Sequence, residues 1–423
     1  MQIIENLKVK EKIAIEKLEN GLTVIIVPKH ETKKKYMIWG TNYGSIDSSF
    51  IVPGEKEITT VPKGVAHFLE HKLFEQENGT NSLDVLTAIG VNANAYTTND
   101  YTAYLFECTD NFYEAMDELM DYVQNPYFTD ENVEKEKGII GQEISMYDDY
   151  PEWKVYLNTL SAMYHKNPVK LDIAGSIETI SYIDKEILYK CYNTFYHPSN
   201  MVMVIAGDFK PEDIIEEVKK RIKKVKQISE IKRIYEKEED SIVKSNIEAK
   251  MDVSLPLFTI GIKDKVQEEE EIVKRHLAIQ IILNILLGSS SKLYKNMYDD
   301  GIINNEPSIE YEFSKTYAHI LISGQSEKPE EVQNRIKSEI KNLKENGINE
   351  EDFNRIKKMI YGEYIKEYDD VANIARNIIS DKMKGINSFD YLEEIECINL
   401  EYIKYILVTV FDFSKIVLSI VHE

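Results

Sequence analysis

The sequence lacks the features that mark secreted and membrane proteins. Its 423 residues contain three cysteines, Cys108, Cys191 and Cys397, which are far apart and outside any C-x-x-C pattern. We therefore expect buried, reduced thiols with no disulfide framework and no metal role. The first residues show no charged start followed by an apolar run, which argues against a secretion signal. The sequence has no uninterrupted apolar stretch of about 18 residues, so we expect no membrane span. We expect a cytoplasmic protein.

Positive charge is scarce relative to negative charge. The chain has 51 lysines and arginines against 73 aspartates and glutamates, which gives a net charge of −22. This excess argues against nucleic acid and against an anionic membrane as the main partner. It favours neutral or basic peptides, although net charge does not fix the field inside one cavity. At this length, with 43% apolar residues, the chain is expected to fold into two globular domains.

One short segment, residues 64–75, combines an apolar helical pattern with metal-binding residue types. His67 and His71 lie one turn apart on the predicted helix, and Glu70 falls about 60° to the side of His67. Two histidines at this spacing can bind one metal ion, and a carboxylate beside them can take a proton from water. The order H-x-x-E-H is the inverse of the H-E-x-x-H zinc-peptidase motif. The alternative is an amphipathic helix with incidental polar residues.

A helix predicted over residues 130–147 supplies candidates for a third ligand. Zinc bound by two histidines needs a third protein donor, usually a histidine or a carboxylate. Glu136 and Glu143 are seven residues apart and share one face of this helix within about 20°. One of them can bind the metal while the other holds a ligand or water. An exposed helix with surface ion pairs is the alternative for these carboxylates.

These segments and two further strands resemble the insulinase/pitrilysin family of zinc peptidases, in particular its short bacterial subunits similar to mitochondrial processing peptidase. One strand contains N-A-Y-T at residues 94–97, and the other lies within residues 195–208, which contain H-P-S-N-M and A-G-D. The resemblance is strongest in the first half of the chain and weaker beyond it. It implies Zn²⁺ as the cofactor, with His67, His71 and Glu143 as ligands. It also implies Glu70 as the general base and Glu136 as a residue that does not bind the metal but holds a ligand or the water in place.

The N-A-Y-T strand is also a candidate for substrate binding. Asn94, Ala95 and Tyr96 are expected to lie at an edge of the sheet, where an extended peptide can add as a further strand. Binding of this kind grips the peptide backbone and does not depend on every side chain. The alternative is a strand buried inside the sheet, and the family resemblance favours the edge.

Local patterns predict the order of elements around the motif. A β-branched run at residues 21–28 predicts a strand, and residues 37–44 are expected to form its neighbour in the sheet. After the zinc helix, the polar and glycine signals predict a helix at 81–89 that ends at Gly90, strands at 92–98 and 102–108, and a helix at 111–124.

The sequence predicts two homologous domains. Residues 128–143 have a counterpart 220 residues later, and at that offset His67 and His71 meet Leu287 and Ser291. The second copy has therefore lost the zinc motif. The predicted fold class is α+β, with two homologous α/β-sandwich domains from an internal duplication, which in the family form half of a clam-shell peptidase. The predicted boundaries are 1–228 for the catalytic zinc domain, 229–245 for a linker and 246–423 for the second domain.

The second domain lacks one feature that the resemblance leads us to expect. Related chains present an arginine and a tyrosine after a helix of this domain, aimed at the peptide in the facing subunit. Residues 289–301 of this chain contain no arginine. A homodimer that completes its own site is therefore disfavoured, and a homologous partner that lacks H-x-x-E-H but carries the missing arginine is expected.

The sequence thus predicts a zinc-dependent endopeptidase or processing-peptidase subunit that cleaves short unfolded peptides or leader segments. It would act in a heterodimer with an inactive homologue or, failing that, in a homodimer. Two alternatives remain open at this point. One is a catalytically silent assembly subunit of the same fold, and the other is a maturation partner that binds peptide without hydrolysis. Neither nucleic acid nor membrane is an expected partner.

Overall fold

The computed structural model describes residues 1–226 and 228–423, and its contacts divide the chain into two compact units. Gln227, near the end of the predicted first domain, lies outside the described residues. Unit 1 holds residues 1–144, 172–234 and 365–388, and unit 2 holds residues 145–171, 235–364 and 389–423. Each half of the sequence therefore contributes a segment to the unit that is built mainly by the other half.

The helices and strands are numbered in chain order. The strands are β1 (Gln2–Asn6), β2 (Glu11–Lys17), β3 (Thr23–Pro28), β4 (Lys35–Thr41), β5 (Ser49–Ile51), β6 (Ile58–Thr60), β7 (Asn92–Thr97), β8 (Thr102–Cys108), β9 (Met201–Gly207), β10 (Lys232–Arg233), β11 (Asn246–Lys250), β12 (Leu257–Asp264), β13 (Ser308–Phe313), β14 (Ala318–Gln325) and β15 (Ile416–His422). The α-helices are α1 (Val65–Lys72), α2 (Ser82–Ala88), α3 (Phe112–Gln124), α4 (Asp130–Asp148), α5 (Pro151–Met163), α6 (Ile177–Ser181), α7 (Lys185–Phe195), α8 (Pro211–Arg221), α9 (Glu269–Leu287), α10 (Lys292–Asp299), α11 (Pro329–Asn346), α12 (Glu350–Glu367), α13 (Val371–Lys384), α14 (Asp390–Cys397) and α15 (Leu400–Val410). Short 3-10 turns occupy Pro168–Lys170, Pro198–Asn200 and Phe413–Lys415.

Unit 1 is built on a seven-stranded sheet with the order β1-β2-β3-β9-β4-β8-β7, and it also holds the small sheet β10-β5-β6. The strands predicted at residues 21–28 and 37–44 form as β3 and β4, but the prediction that they are neighbours was wrong. Strand β9 lies between them, parallel to β3 and antiparallel to β4, with Met203 opposite both Val24 and Trp39. A pairing between strands so far apart in sequence is not encoded in the local hydrophobic pattern.

Helices from different parts of the chain cover the two faces of the seven-stranded sheet. On one face, Met37, Trp39 and Tyr104 belong to the main apolar core, with residues of α1, α3, α7 and α8. On the other face, α13 packs on β4 and β9. Gly40 makes room for it, because a Cβ at this position would lie 2.8 Å from Ile379. The arrangement is an α/β sandwich and confirms the predicted fold class.

Unit 2 has a five-stranded sheet with the order β11-β15-β12-β14-β13. Helix α5 packs on β12 and β15, and Gly261 accepts it closely, because a Cβ there would lie 2.6 Å from Thr159. The order of β12, α9, β13, β14, α11 and α12 repeats the strand and helix order of unit 1, and α12 begins at the same offset from α4 that the sequence shows. The second domain is thus a structural copy of the first.

The compact units do not coincide with the predicted sequence segments. Helix α5 comes from the predicted first domain and packs in unit 2, whereas α13 comes from the predicted second domain and packs in unit 1. The boundaries 1–228, 229–245 and 246–423 therefore stay a prediction about the two homologous copies. Which helix completes each sandwich is decided by the tertiary structure and not by these boundaries.

One helical stretch is long and apolar enough to cross a membrane by length and composition alone. It covers residues 271–299, which include most of α9 and all of α10, and 67% of its most apolar window is buried inside the protein. A core helix that is apolar on most sides has this property without any membrane. The stretch is also interrupted by the break between α9 and α10.

The cysteine prediction is correct for two of the three residues. All three are free thiols, and Cys108 and Cys191 are buried. Cys397 is exposed, contrary to the prediction. It ends α14 on the side away from Leu392 and Ile395, which carry the buried face of that short helix.

Candidate metal centre

Helix α1 is positioned by the residue that precedes it. Gly64 has a φ of 94°, in the left-handed region, and a Cβ at this position would lie 2.4 Å from the backbone oxygen of Ala174. Both the conformation and the space therefore require glycine. Phe68 and Leu69 anchor the helix in the core with no exposed surface, and the histidines occupy the side that faces α4.

Helix α4 brings carboxylates to both histidines. Glu143 places Oε1 3.7 Å from Nε2 of His67 and Oε2 3.4 Å from Nε2 of His71. Two turns earlier, Oε1 of Glu136 is 3.1 Å from Nδ1 of His71. The two glutamates share one face of α4, as their spacing predicts, but they contact different nitrogens. The structure thus gathers four residues that the sequence singles out.

The donor atoms of His67, His71 and Glu143 fit a zinc ion. Among the described residues, these three form the group whose possible ligand atoms all lie within 4.8 Å of one another. Donors about 2.0–2.2 Å from a tetrahedral centre are roughly 3.3–3.6 Å apart. The observed nitrogen–oxygen distances, 3.4 and 3.7 Å, are close to this spacing. Two imidazoles and one carboxylate leave a fourth position open, which is the arrangement of catalytic zinc sites.

The two histidines have opposite electrostatic surroundings. Burial and the neighbouring His71 lower the pKa of His67 to about 3, so that His67 is a neutral imidazole, the form that binds metals. Its Nδ1 is buried and has no hydrogen-bond partner among the residues that the structure describes. Burial also lowers the pKa of His71, but the hydrogen bond with Glu136 and the charges of Glu70, Glu136 and Glu143 outweigh burial and raise it. A divalent cation would balance this local excess of carboxylates.

Glu136 joins His71 to a buried lysine. Burial raises the pKa of Glu136, but the hydrogen bond with His71 and the charge of Lys72 outweigh it, so the pKa is lowered. The fully buried Lys72 places Nζ 3.6 Å from Glu136 and also pairs with Glu75. An ionised carboxylate at Nδ1 favours the His71 tautomer whose Nε2 lone pair is free to bind a metal ion together with Glu143. This geometry supports the predicted role of Glu136, which is to hold a ligand in place.

Glu70 lies beside the cluster and is held by a threonine. It is 8% exposed, and Oγ1 of Thr97 donates a 2.6 Å hydrogen bond to its Oε2. Burial raises the pKa of Glu70, although the hydrogen bond from Thr97 and the charge of His71 oppose the rise. A carboxyl group whose pKa is raised above its ordinary value is better suited to take up a proton and return it.

The predicted substrate-binding residues divide between the two faces of β7. This strand is an edge of the sheet, as predicted. Ala95 belongs to the core on the side of α1, and Thr97 follows on the same face. Asn94 and Tyr96 lie on the opposite face, where Asn94 lines a cavity and the Tyr96 hydroxyl is 3.0 Å from the Tyr101 hydroxyl. A peptide paired with the backbone edge of β7 would have side chains on both faces of the sheet. The substrate role of these three residues stays a prediction.

Two residues of the site were missed by the sequence analysis. Thr97 is the last residue of the N-A-Y-T motif, and strand alternation from Ala95 is the signal that places it on the side of α1. Lys72 follows Val65 and Leu69 at the spacing of a buried helix face. A lysine at a core position of this kind signals a buried ion pair.

Comparison with known proteins gives two family matches. Residues 56–176 match the family described as "Insulinase (Peptidase family M16)", and residues 182–360 match the one described as "Peptidase M16 inactive domain". The first match contains α1 and α4 with all the residues of the metal cluster. The second contains the copy in which the zinc motif is lost.

Individual proteins are similar over different lengths. The Bacillus subtilis protein named "Uncharacterized zinc protease YmfH" is 38% identical over 408 residues, which are 96% of this chain and 95% of that protein. A mitochondrial-processing peptidase subunit beta from Arabidopsis thaliana, so named, is 31% identical over 169 residues, 38% of this chain and 31% of that protein. A crystal structure described as an M16-like peptidase from Alicyclobacillus acidocaldarius has a TM-score of 0.94 at 33% identity and covers 99% of this chain and 100% of that one.

Proposed function

The chain belongs to the insulinase family of peptidases, family M16, and on that premise we propose that it is the catalytic subunit of a zinc-dependent endopeptidase. The observation that carries the proposal is the convergence of His67, His71 and Glu143 within 4.8 Å of one another, beside the buried carboxyl group of Glu70. A relative named as a zinc protease matches nearly the whole chain, which supports zinc as the metal.

In this proposal His67, His71 and Glu143 hold the metal ion. Zinc, when bound, supplies a Lewis acid that polarises a peptide carbonyl and makes water more acidic. Glu70 takes the proton from the attacking water and returns it to the departing amine nitrogen. The hydrogen bond from Thr97 holds one oxygen of Glu70, which leaves the other oxygen for proton transfer. Glu136 keeps the ring of His71 oriented through Nδ1.

The substrate that the geometry supports best is an extended peptide. Strand β7 is an edge strand that touches the metal-binding helix α1, so a peptide paired with β7 would pass close to Glu70. Pairing of this kind requires an unfolded segment, which supports short peptides or leader segments as substrates. A cytoplasmic location is part of the same proposal and rests on the sequence alone.

We also propose that a homologous subunit without the H-x-x-E-H motif completes the active site. The absence of arginine from residues 289–301 supports such a partner. A relative whose name describes it as a subunit of a processing peptidase supports it further. A second copy of this chain is the alternative occupant.

The alternative function is that of a silent or maturation-partner subunit that binds peptide without hydrolysis. Such a subunit has no need for two imidazoles, a carboxylate and a base in one place, and this chain has all four. No further histidine, cysteine or acidic residue joins the metal cluster within the described ranges 1–226 and 228–423. The fourth coordination position of the metal would therefore be open to water, which supports hydrolysis.

The test compares zinc content and peptide hydrolysis in the same samples. Wild-type protein should hold about one zinc per chain and cleave unfolded peptides. The Glu70→Gln variant should keep its zinc but lose at least about a hundredfold in turnover, because proton transfer is lost. Glu131→Gln, at an exposed position on α4, is the matched control and should retain both properties.

Two results would contradict this assignment. Full activity in zinc-loaded Glu70→Gln protein would place the base elsewhere, and Glu136 would be the next candidate. Zinc-loaded wild-type protein that binds peptides but cleaves none of them, with or without a homologous partner, would favour the maturation-partner function.

A further inference from the structure

A polar groove lies on the face of the seven-stranded sheet opposite the metal centre. It is a cavity of about 530 Å³ between the ends of β4, β7 and β8 and the first two turns of α13. Tyr36, Glu107 and Asn92 stand opposite one another in the strand register and form one row across its floor. Asn94 lines the groove one alternation further along β7. The groove is therefore continuous with the edge strand that the proposed function assigns to the peptide.

The acidic side chains of the groove already have partners. Lys34 places Nζ 3.2 Å from Glu107 and 3.6 Å from Asp370. Asp370 also accepts hydrogen bonds from the backbone N–H groups of Ala372 and Asn373 as the N-cap of α13. The start of α13 is thus satisfied by its own carboxylate, and the helix end is not available as an anion-binding group.

Arg376 is the charged side chain of the groove that has no ion pair among the described residues. Its Nη2 donates a 3.0 Å hydrogen bond to the neutral side chain of Asn373. Its guanidinium carbon lies 5.9 Å from the centre of the Tyr36 ring. A guanidinium group presents several donors in a planar fork that matches a carboxylate, so Arg376 has donors left for an acidic ligand.

Tyr36 lies beside Arg376 in the same groove. The residue is only 2% exposed, and its hydroxyl interacts with the side chain of Arg376. Burial raises the pKa of Tyr36 to about 12, against the opposing charge and hydrogen bond of Arg376, so the hydroxyl keeps its proton. The ring and hydroxyl of Tyr36 therefore help to hold the guanidinium group of Arg376 at the groove.

Strand geometry connects this groove to the peptide. Side chains of an added strand alternate between the two faces of the sheet. In a peptide paired with β7, every second side chain would therefore face α1, and the others would face α13 and the groove. Neighbouring strands are about 4.8 Å apart, so a side chain that enters from beyond β7 must pass over Asn92 or Asn94 to reach Arg376. A glutamate reaches further than an aspartate.

We propose that this groove is a specificity site that binds a glutamate side chain of the substrate peptide through Arg376, which Tyr36 helps to hold in place. The proposal rests on the proposed peptidase function and extends it to sequence preference. It requires glutamate at positions of one parity along the peptide, those whose side chains face α13. A lysine at the same positions would meet the guanidinium group, while the acids of the groove are already engaged. The local charge of the groove thus differs from the acidic character of the whole chain.

The test uses a set of otherwise neutral peptides with one glutamate at each position in turn, each matched by a glutamine peptide. Binding is measured by fluorescence anisotropy on chelator-treated protein, and cleavage is measured separately on the zinc-loaded protein by mass spectrometry. At alternate positions, glutamate should improve binding about tenfold over glutamine, which corresponds to roughly 1.4 kcal/mol. Aspartate should give a smaller gain.

Variants assign the preference to the groove. Arg376→Gln should abolish the preference for glutamate, and Arg376→Glu should replace it with a preference for lysine at the same positions. Tyr36→Phe should reduce the preference, because it removes the hydroxyl that helps to hold Arg376. Lys382→Gln, an exposed lysine on the same helix outside the groove, is the matched control and should leave the preference unchanged.

The outcomes separate this proposal from the proposed function. Alternating glutamate preference in binding, without cleavage of any peptide, would contradict the peptidase and leave the groove in place. Cleavage with no glutamate preference, or with a preference that survives Arg376→Gln, would contradict the proposal that the groove is a specificity site. Absence of binding by every peptide would contradict it as well.

Discussion

Individual side chains of the candidate metal centre make distinct contacts, which support the different roles proposed for them. Glu143 faces Nε2 of both histidines, whereas Glu136 faces Nδ1 of His71 and the buried amine of Lys72. The two glutamates have the same chemistry and share one helix face. The nitrogen that each one contacts is the basis for proposing Glu143 as a metal ligand and Glu136 as a residue that orients His71.

The first prediction concerns the ligands themselves. His67→Ala, His71→Ala and Glu143→Gln should each remove most of the bound zinc, because only two protein donors remain. Metal analysis of the purified variants gives the measurement, and Glu131→Gln on the exposed side of α4 serves as the control. Undiminished zinc in all three variants would reject the ligand assignment.

The second prediction separates Glu136 from the ligands. Glu136→Gln should still bind about one zinc at saturation but with an affinity lower by roughly 10–100-fold, because the carboxylate that orients His71 is lost. A competition titration with a chelator measures this change. Glu134→Gln, an exposed neighbour on the same helix, should have no effect. Complete loss of zinc at saturation would make Glu136 a direct ligand, and an unchanged affinity would deny it any role in orientation.

Among the structural elements, the position of α1 depends on a single glycine. Gly64 combines a left-handed backbone with a close approach to the backbone oxygen of Ala174. The helix carries both histidines and Glu70, so a shift at its first residue would move three functional side chains relative to α4. The chain offers a control at Gly79, which has a similar φ of 80°. Among the described residues, no atom outside Gly79 and its chain neighbours lies within 4 Å of the position that a Cβ would take there.

The third prediction compares these two glycines. Gly79→Ala should lower the free energy of unfolding by about 1–2 kcal/mol, the cost of a left-handed conformation for alanine. Gly64→Ala should lower it by a further 1–3 kcal/mol or so, because the added methyl group is overpacked against a backbone. Only Gly64→Ala should also weaken zinc binding. Equal effects of the two substitutions on stability and on zinc affinity would show that α1 is not positioned in this way.

Strand β7 shows how an element can serve two purposes. Its alternation sends Ala95 and Thr97 toward α1 and Asn92 and Asn94 toward α13. The side chains of the motif N-A-Y-T therefore lie on two faces of the sheet and do not form one contiguous patch. Its free backbone edge is the common feature, and each face adds a different chemistry to a peptide that pairs with it.

At the scale of the whole molecule, the second domain copies the first but has no arginine in residues 289–301, where the family resemblance leads us to expect one. In this region Tyr298 is exposed, and Asp300 is held by Arg335 at 2.5 Å, an arginine that also pairs with Glu331. Carboxylates at this place would not steady the carbonyl oxygen that becomes negative during attack, whereas an arginine or tyrosine donor would.

The fourth prediction follows from that composition. The isolated chain should cleave peptides slowly, and addition of a homologous subunit that lacks H-x-x-E-H should raise the rate at least about tenfold, or roughly 1.4 kcal/mol of transition-state stabilisation. Peptide cleavage by size-fractionated protein, with and without that subunit, is the measurement. Glu70→Gln protein with the same partner is the control for activity carried by the partner. A fully active homodimer that gains nothing from any partner would contradict the prediction and assign the gripping role to Lys292 or Tyr298.

The sequence by itself determined the metal cluster and most of the local elements. His67, Glu70 and His71 are fixed by a helical period within five residues, and the seven-residue spacing of Glu136 and Glu143 fixes their common face. The repeat at an offset of 220 residues also predicted the second copy and its loss of the motif. These features are local or internally periodic, and therefore a linear pattern is sufficient to show them.

The tertiary structure decided the features that depend on distant segments. It inserted β9 between β3 and β4, and it exchanged α5 and α13 between the two sequence halves. It also turned Glu136 toward Nδ1 and Glu143 toward Nε2, and set Arg376 beside Tyr36. Each of these arrangements arises from which buried surfaces fit together across hundreds of residues. Hydrophobic burial is not directional, so the sequence pattern marks the surfaces to be buried but does not name their partners.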